Sequence, residues 1–197
     1  FWAHVSYGSY LTQVGRFDEA RAQINEQIKL DPLNDHQDDL AFVAYMSRQF
    51  DVAIKGFTQA EDAHALGWSY AMKKMYPEAI GAFERFAAEW GRQPVVVSGQ
   101  AMVYGRAGRM REGRKFMREL KEIARHRYVS PSLFANAYVG LGDKENALTW
   151  LEKAYQEQDV LMTYLKVGPG MDPIRQEPRF QAVLKRMNFP PSPSGPK

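Results

Sequence analysis

The feature that most constrains the fold of this chain is a short pattern that recurs five times. In each occurrence a small residue is followed, four positions later, by a large apolar one. Residues four apart share one face of an α-helix, so five segments present the same packing face. Units of this kind cannot bury their apolar faces alone and are expected to stack. The small residues are Ala20, Ala53, Ala79, Gly113 and Ala147, and the large ones are Ile24, Phe57, Phe83, Met117 and Leu151.

A second frame precedes each of these segments. It contains a small residue, followed three positions later by Leu11, Ala44, Tyr70, Tyr104 or Tyr138. Small residues let two helices approach closely, and the larger ones fill the groove between them. Glycines at 15, 108 and 142 stand where the first helix of a pair should end. Each unit is therefore predicted to be a helix, a turn and a second helix.

Local signals support the same helix boundaries. Pro77, Pro94 and Pro131 occupy positions where a first-turn proline is tolerated, and Ser130 is a candidate N-cap. The run "VVV" at 95–97 favours a strand by propensity, but the repeat frame predicts helix there.

The period and these residues resemble the tetratricopeptide repeat, whose pattern runs W-x2-L-G-x2-Y, then A-x3-F, then P over about 34 residues. The resemblance covers residues 1–157. It implies an all-α, right-handed α-solenoid of about five helix-turn-helix pairs.

One step between the small residues is short. The steps are 33, 26, 34 and 34 residues, and the short one follows Ala53. The short step has about eight residues fewer than a step of 34, which correspond to about 12 Å of helix. We therefore expect a truncated second helix near 51–60, or a tight turn around Glu61 and Asp62.

Beyond residue 157 the pattern changes, and residues 158–190 are expected to cap the array. A terminal repeat needs its apolar side covered, and a final helix near 178–187 carries apolar residues on one face. Residues 191–197, rich in proline and serine, are predicted to be a disordered tail. The run "DPIRQEPRFQAVLKRM" is similar to the segment that closes tetratricopeptide arrays in bacterial signalling proteins. That similarity implies a larger bacterial signalling or regulatory protein.

Composition and motifs argue against an enzyme. The histidines at 4, 36, 64 and 126 are scattered, and "NDHQDD" at 34–39 is better explained by helix capping than by a metal. We expect no catalytic residue, cofactor or metal. No apolar run is long enough to span a membrane. The absence of cysteine favours the cytoplasm but also suits an exported chain, and a start at Phe1 suggests that a segment preceded it.

A basic stripe is predicted on one helix between residues 106 and 127. The favoured interpretation is that these charges form a solvated face. A role as a nucleic-acid accessory stays as an alternative, although a net charge of +3 does not by itself indicate nucleic-acid binding. The stripe comprises Arg111, Arg114, Lys115, Arg118, Lys121 and Arg125.

In the family that the chain resembles, the first helices line a concave groove that binds a peptide or a partner helix. The residues at the corresponding positions of this sequence are predicted to form a protein-binding surface. The surface is rich in aromatic residues and methionine, which are typical of protein interfaces. Two alternatives stay open: the groove residues pack on one another or on the C-terminal helix, or the chain self-associates. The predicted groove residues are Phe42, Tyr45, Met46, His64, Trp68, Met72, Met102, Arg106 and Asn136.

Overall fold

The computed structural model describes residues 2–31 and 37–190, with side chains for 6–31 and 38–190. These residues form α-helices and two short 3₁₀ helices, and no strand occurs among them. The α-helices are α1 (Trp2–Val14), α2 (Phe17–Leu30), α3 (Gln37–Met46), α4 (Phe50–Gln59), α5 (Ala63–Met72), α6 (Tyr76–Trp90), α7 (Pro94–Arg106), α8 (Met110–His126), α9 (Pro131–Gly140), α10 (Lys144–Gln156) and α11 (Pro178–Arg186). The 3₁₀ helices are Val160–Tyr164 and Pro169–Ile174.

The first ten helices pack as five consecutive pairs, from α1 with α2 to α9 with α10. The predicted all-α solenoid is thereby confirmed. Residues 95–97 lie inside α7, so the repeat frame overrides their strand propensity.

The repeated small and large residues form the core. All five small residues of the second helices are buried, and so are their large partners four positions later. In the first helices, Leu11, Ala44, Tyr104 and Tyr138 are buried and Tyr70 is partly buried. The pattern in the sequence therefore marks the contacts that join helix to helix.

Every first helix ends in the same way. A residue one or two positions past its end has a positive φ, and the next residue donates its backbone N–H to a carbonyl in the last turn, as Arg109 does to Tyr104 at 2.9 Å. Left-handed backbone suits glycine best, and three of the five positions hold it. The other two hold Arg48 and Lys74, with φ of 64° and 62°.

The second repeat is compact. Its second helix, α4, has 10 residues, whereas α2, α6, α8 and α10 have 13 to 17. Three residues connect it to α5. Among them Glu61 has a positive φ, and the Asp62 side chain caps α5 by accepting the N–H of Ala65 at 2.9 Å.

Helices α7 and α9 approach each other at backbone distance. A Cβ added to Gly140 would lie 2.3 Å from the Cα of Met102, and one added to Gly105 would lie 2.5 Å from the carbonyl oxygen of Gly140. Glycine is required at both positions because any side chain would push the two helices apart.

After α10 the chain turns at Asp159, which also caps α9. Its carboxylate accepts the Ser130 hydroxyl, the N–H of Ser132 at 3.0 Å and the N–H of Leu161 at 3.0 Å. Ser130 is at the N-cap position, as predicted, but its own side chain makes no capping hydrogen bond. The capping carboxylate belongs to Asp159.

The last helix, α11, packs against α10. Phe180 and Val183 are buried, and Arg179 pairs with Glu152 at 2.8 Å. The predicted tail at 191–197 lies outside the described residues. In the part of the chain that the structure describes, no helix has both the length and the apolar character needed to cross a membrane.

Candidate functional site

The inner face of the array, formed by the first helices of the pairs, is filled in its middle by the chain itself. Residues 159–175, here called the strap, lie across this face. Their first 3₁₀ helix contacts α1, and their second contacts α9. The Tyr164 ring meets Phe42 of α3 edge-on at 5.4 Å between ring centroids. Val167 is buried in the same apolar cluster as Tyr45 and Met46.

Arg106, at the end of α7, joins the strap to the inner face. Its guanidinium donates to the carbonyl oxygen of Gly170 at 2.9 Å and to the Met72 sulfur at 3.5 Å. Asn136 of α9 also adjoins Gly170, whose added Cβ would lie 3.1 Å from its side-chain oxygen. Burial lowers the pKa of Arg106, which shows the cost of desolvating this cation. Its hydrogen bonds offset that cost.

An ion pair ties the strap to the second repeat. Arg48 pairs with Asp172 at 2.7 Å, and Arg175 within the strap pairs with the same carboxylate at 2.8 Å. Burial would raise the pKa of Asp172, but the hydrogen bonds from the two arginines outweigh it and lower the pKa. The carboxylate is therefore held in its charged form.

The strap has its own internal framework. Arg175 donates to the carbonyl oxygens of Leu165, Lys166 and Gly168 at 3.3, 2.9 and 2.7 Å. Met162, Leu165, Met171 and Ile174 are buried in the cluster of the fifth repeat and α11. The segment predicted as a cap therefore does more than cover the last repeat with one helix. Its irregular part, the strap, also occupies the inner face of the array.

The inner face is open between α3 and α5. A cleft of about 260 Å³ lies between α3 and α5. Its apolar walls come from Phe42, Tyr45, Phe57 and Trp68, and three aspartates, at positions 38, 39 and 62, lie around it with His64. We call it the Trp68 cleft.

Trp68 is held in an aromatic cluster and is partly buried. Its indole N–H donates to Nε2 of His64 at 3.0 Å, and its ring meets Phe83 edge-on at 5.8 Å. His64 also adjoins Phe86, at 5.3 Å between ring centroids. Burial lowers the pKa of His64, although Asp62 opposes this shift. The histidine is therefore kept neutral, and its Nε2 can accept the hydrogen bond from the indole N–H.

The other predicted groove residues differ in how far they are enclosed, and Tyr45 is both largely buried and part of the cleft wall. Tyr45 and Met46 are buried in the cluster that contains Val167, and Met72 and Asn136 border Arg106 or Gly170. Met102 is only 1% exposed and belongs to the contact of α7 with α9. In this structure, therefore, Phe42, Tyr45, His64 and Trp68 line the open cleft.

The six residues of the predicted basic stripe all lie on α8, and all are exposed. Within residues 6–31 and 38–190, no group of acidic residues and histidines is placed to hold a metal ion. His4 and His36 lie outside the described side chains.

A family model matches one repeat of the array. The model described as tetratricopeptide repeat matches residues 133–158, which span α9 and α10. The match identifies a tetratricopeptide repeat at residues 133–158 and supports the tetratricopeptide-repeat family for this chain. Four further helix pairs with the same buried frame precede the matched repeat. No curated protein sequence matches the chain. Tetratricopeptide repeats generally mediate protein–protein interactions, and their fold is typically a non-catalytic scaffold.

The sequence pattern did not reveal the docking of the strap on the inner face. Its glycines and prolines indicate irregular structure, but a repeat frame carries no signal for where an irregular segment docks.

Proposed function

We propose that this tetratricopeptide array is the interaction module of a larger bacterial signalling or regulatory protein, and that it captures a protein segment in the Trp68 cleft. The observation that carries the proposal is the division of the inner face: the strap covers its middle, whereas the cleft beside Trp68 stays open. The resemblance of 172–187 to closing segments of bacterial arrays supports the wider context.

The chemistry of the cleft favours a basic segment with an apolar anchor. Aromatic walls suit an apolar or aromatic side chain, and buried aromatic contacts commonly dominate binding energy. Asp38, Asp39 and Asp62 add three carboxylates around the opening. Opposite charge on a partner speeds association and fixes its register. The occupant is therefore a peptide that presents one apolar side chain flanked by Lys or Arg.

The test is peptide selection from a random phage-displayed library, followed by affinity measurement with purified variants. We expect the selected peptides to combine apolar and basic residues. Trp68→Ala should weaken their binding by about tenfold or more. The matched control is Trp90→Ala, since Trp90 is 61% exposed and lies on α6, outside the cleft.

A second variant keeps the test decisive if Trp68→Ala loses its fold. Asp38 is exposed on the first turn of α3, so Asp38→Lys should leave the core intact while it repels a basic peptide. Selected peptides that lack basic residues, or that bind all variants equally, would overturn the proposal.

A further inference from the structure

Helix α8 carries more unneutralised positive charge than its sequence indicates. Its glutamates are each engaged by a neighbouring basic residue: Glu112 by Arg109 at 2.7 Å, Glu119 by Arg92 at 2.6 Å, and Glu122 by Arg125 at 2.7 Å. Arg92 and Arg109 precede the stripe in sequence. Glu112 and Glu119 therefore pair with arginines that are not among the six stripe residues, and they do not neutralise the stripe.

The rest of the stripe is left for solvent. Among the described residues, no carboxylate forms an ion pair with Arg114, Lys115 or Arg118, and Lys121 instead lies over the ring of Tyr138 at 5.7 Å. Arg111, Arg114, Arg118 and Lys121 recur at helical spacing over about 15 Å of α8. Clustered like charges raise the local potential and attract a partner of opposite sign.

A cleft adjoins this row of cations. It has a volume of about 390 Å³, and Arg114, Arg118 and Lys121 line its α8 side. The remaining walls come from the end of α9 and the start of α10. They include Tyr138, Leu141, Asp143 and Asn146, and Met117 of α8 also lines the cleft. The surface therefore combines charge with a recess that an apolar side chain can enter.

We infer that this surface, on the outer helix of the fourth repeat, is a second docking site, and that its occupant is an acidic protein segment in helical form. Glutamates repeated at the spacing of the four cations would each meet a guanidinium or ammonium group. Arginine forms directional, charge-assisted pairs with carboxylates. An apolar side chain between two such glutamates would enter the recess. The site is separate from the Trp68 cleft and does not depend on it.

The same features disfavour nucleic acid as the occupant. Single-stranded nucleic acid binds by stacking bases on accessible aromatic rings, and Tyr138, the aromatic residue of this recess, is 8% exposed. The apolar lining beside the cations favours a segment that carries carboxylates and apolar side chains together.

The probe is a synthetic helical peptide whose glutamates repeat at the spacing of Arg111, Arg114, Arg118 and Lys121, with one leucine among alanines. Fluorescence anisotropy would measure its affinity for the wild type and for R111E/R114E/R118E. The control is K55E/K74E/R85E, which changes the net charge equally at exposed positions elsewhere. Circular dichroism confirms that both variants fold. We expect the first variant to lose about tenfold or more in affinity and the control to bind within about twofold of the wild type.

Three results would overturn the inference. The first is equal binding of the two triple variants, which would indicate a non-specific charge effect. The second is equal binding of a peptide whose leucine is replaced by alanine, which would remove the role of the recess. The third is tighter binding of a DNA duplex or a single-stranded oligonucleotide than of the acidic peptide, with loss in the stripe variant, which would assign the surface to nucleic acid.

Discussion

The Arg106 guanidinium donates a hydrogen bond to the carbonyl oxygen of Gly170 at 2.9 Å, across 64 residues of sequence. This bond links the inner face of the fourth repeat to the strap. The strap therefore occupies the middle of the inner face, and the Trp68 cleft beside it stays open.

Removing this bond should loosen the strap. Arg106→Met preserves much of the side-chain volume but leaves the Gly170 carbonyl without its charged donor, so we expect a loss of about 1.5–3 kcal/mol in the free energy of unfolding. Amide hydrogen exchange should accelerate in residues 164–172. The control is Arg85→Met on the exposed face of α6. Unchanged exchange in the strap would contradict this account.

Asp159 should contribute to stability in a pH-dependent way. It is 6% exposed, and its carboxylate accepts bonds from Ser130, Ser132 and Leu161. Burial would raise its pKa, but these hydrogen bonds together lower it. The stabilisation is therefore present above about pH 4, the ordinary aspartate range, and is lost as the pH falls below it.

Asp159→Ala should accordingly cost about 1–3 kcal/mol at neutral pH. Denaturant unfolding measured from pH 6 to pH 3 should show a smaller loss of stability on acidification in the variant than in the wild type. Parallel pH profiles for the two proteins would be evidence against this role.

His64 should make the array less stable in mild acid. Its pKa is lowered by burial, so the unfolded chain takes up a proton at a higher pH than the folded one. Stability should fall as the pH drops through about 6.5, the ordinary histidine value. Thermal unfolding followed between pH 7.5 and pH 5 would measure this, and His64→Gln should flatten the profile.

The exposed His126 supplies the comparison for that experiment. If His64→Gln and His126→Gln shift the profile equally, the buried histidine is not its source.

Lys74 occupies a left-handed turn position that glycine fills in three other repeats. Lys74→Gly should stabilise the chain by about 1 kcal/mol, because it relieves a steric cost at positive φ. Lys55→Gly, inside α4, should have the opposite effect, since glycine is a poor helix former. Chemical denaturation would distinguish them, and destabilisation by both substitutions would refute the turn argument.

The contact between α7 and α9 depends on the absence of a side chain at position 140. Gly140→Ala should cost about 3 kcal/mol or more, because its methyl group would overlap the Met102 backbone. Gly81→Ala is the matched control, since an added Cβ there has no neighbour within 4 Å. It should be neutral or stabilise α6 by up to about 1 kcal/mol. Similar losses in both variants would contradict this explanation.

Much of the architecture follows from residue spacing alone. The recurring pair exemplified by Ala79 and Phe83 places five equivalent faces on five helices, and those faces can be buried only by stacking helix on helix. The same spacing overrides the strand propensity of residues 95–97, because packing energy outweighs an intrinsic preference of about 1 kcal/mol or less. The basic stripe on α8 was equally visible, since charge at helical spacing is a local property.

The sequence alone left open which inner-face residues stay accessible, and only the tertiary structure decided it. Met102 and Trp68 hold comparable groove positions in the repeat pattern, yet Met102 is enclosed between α7 and α9 and Trp68 borders a cleft. The difference arises from two contacts distant in sequence: the backbone approach at Gly140 and the docking of the strap on Arg48 and Arg106. Local periodicity sets which face of a helix is apolar, but what covers that face depends on long-range contacts that no local pattern encodes.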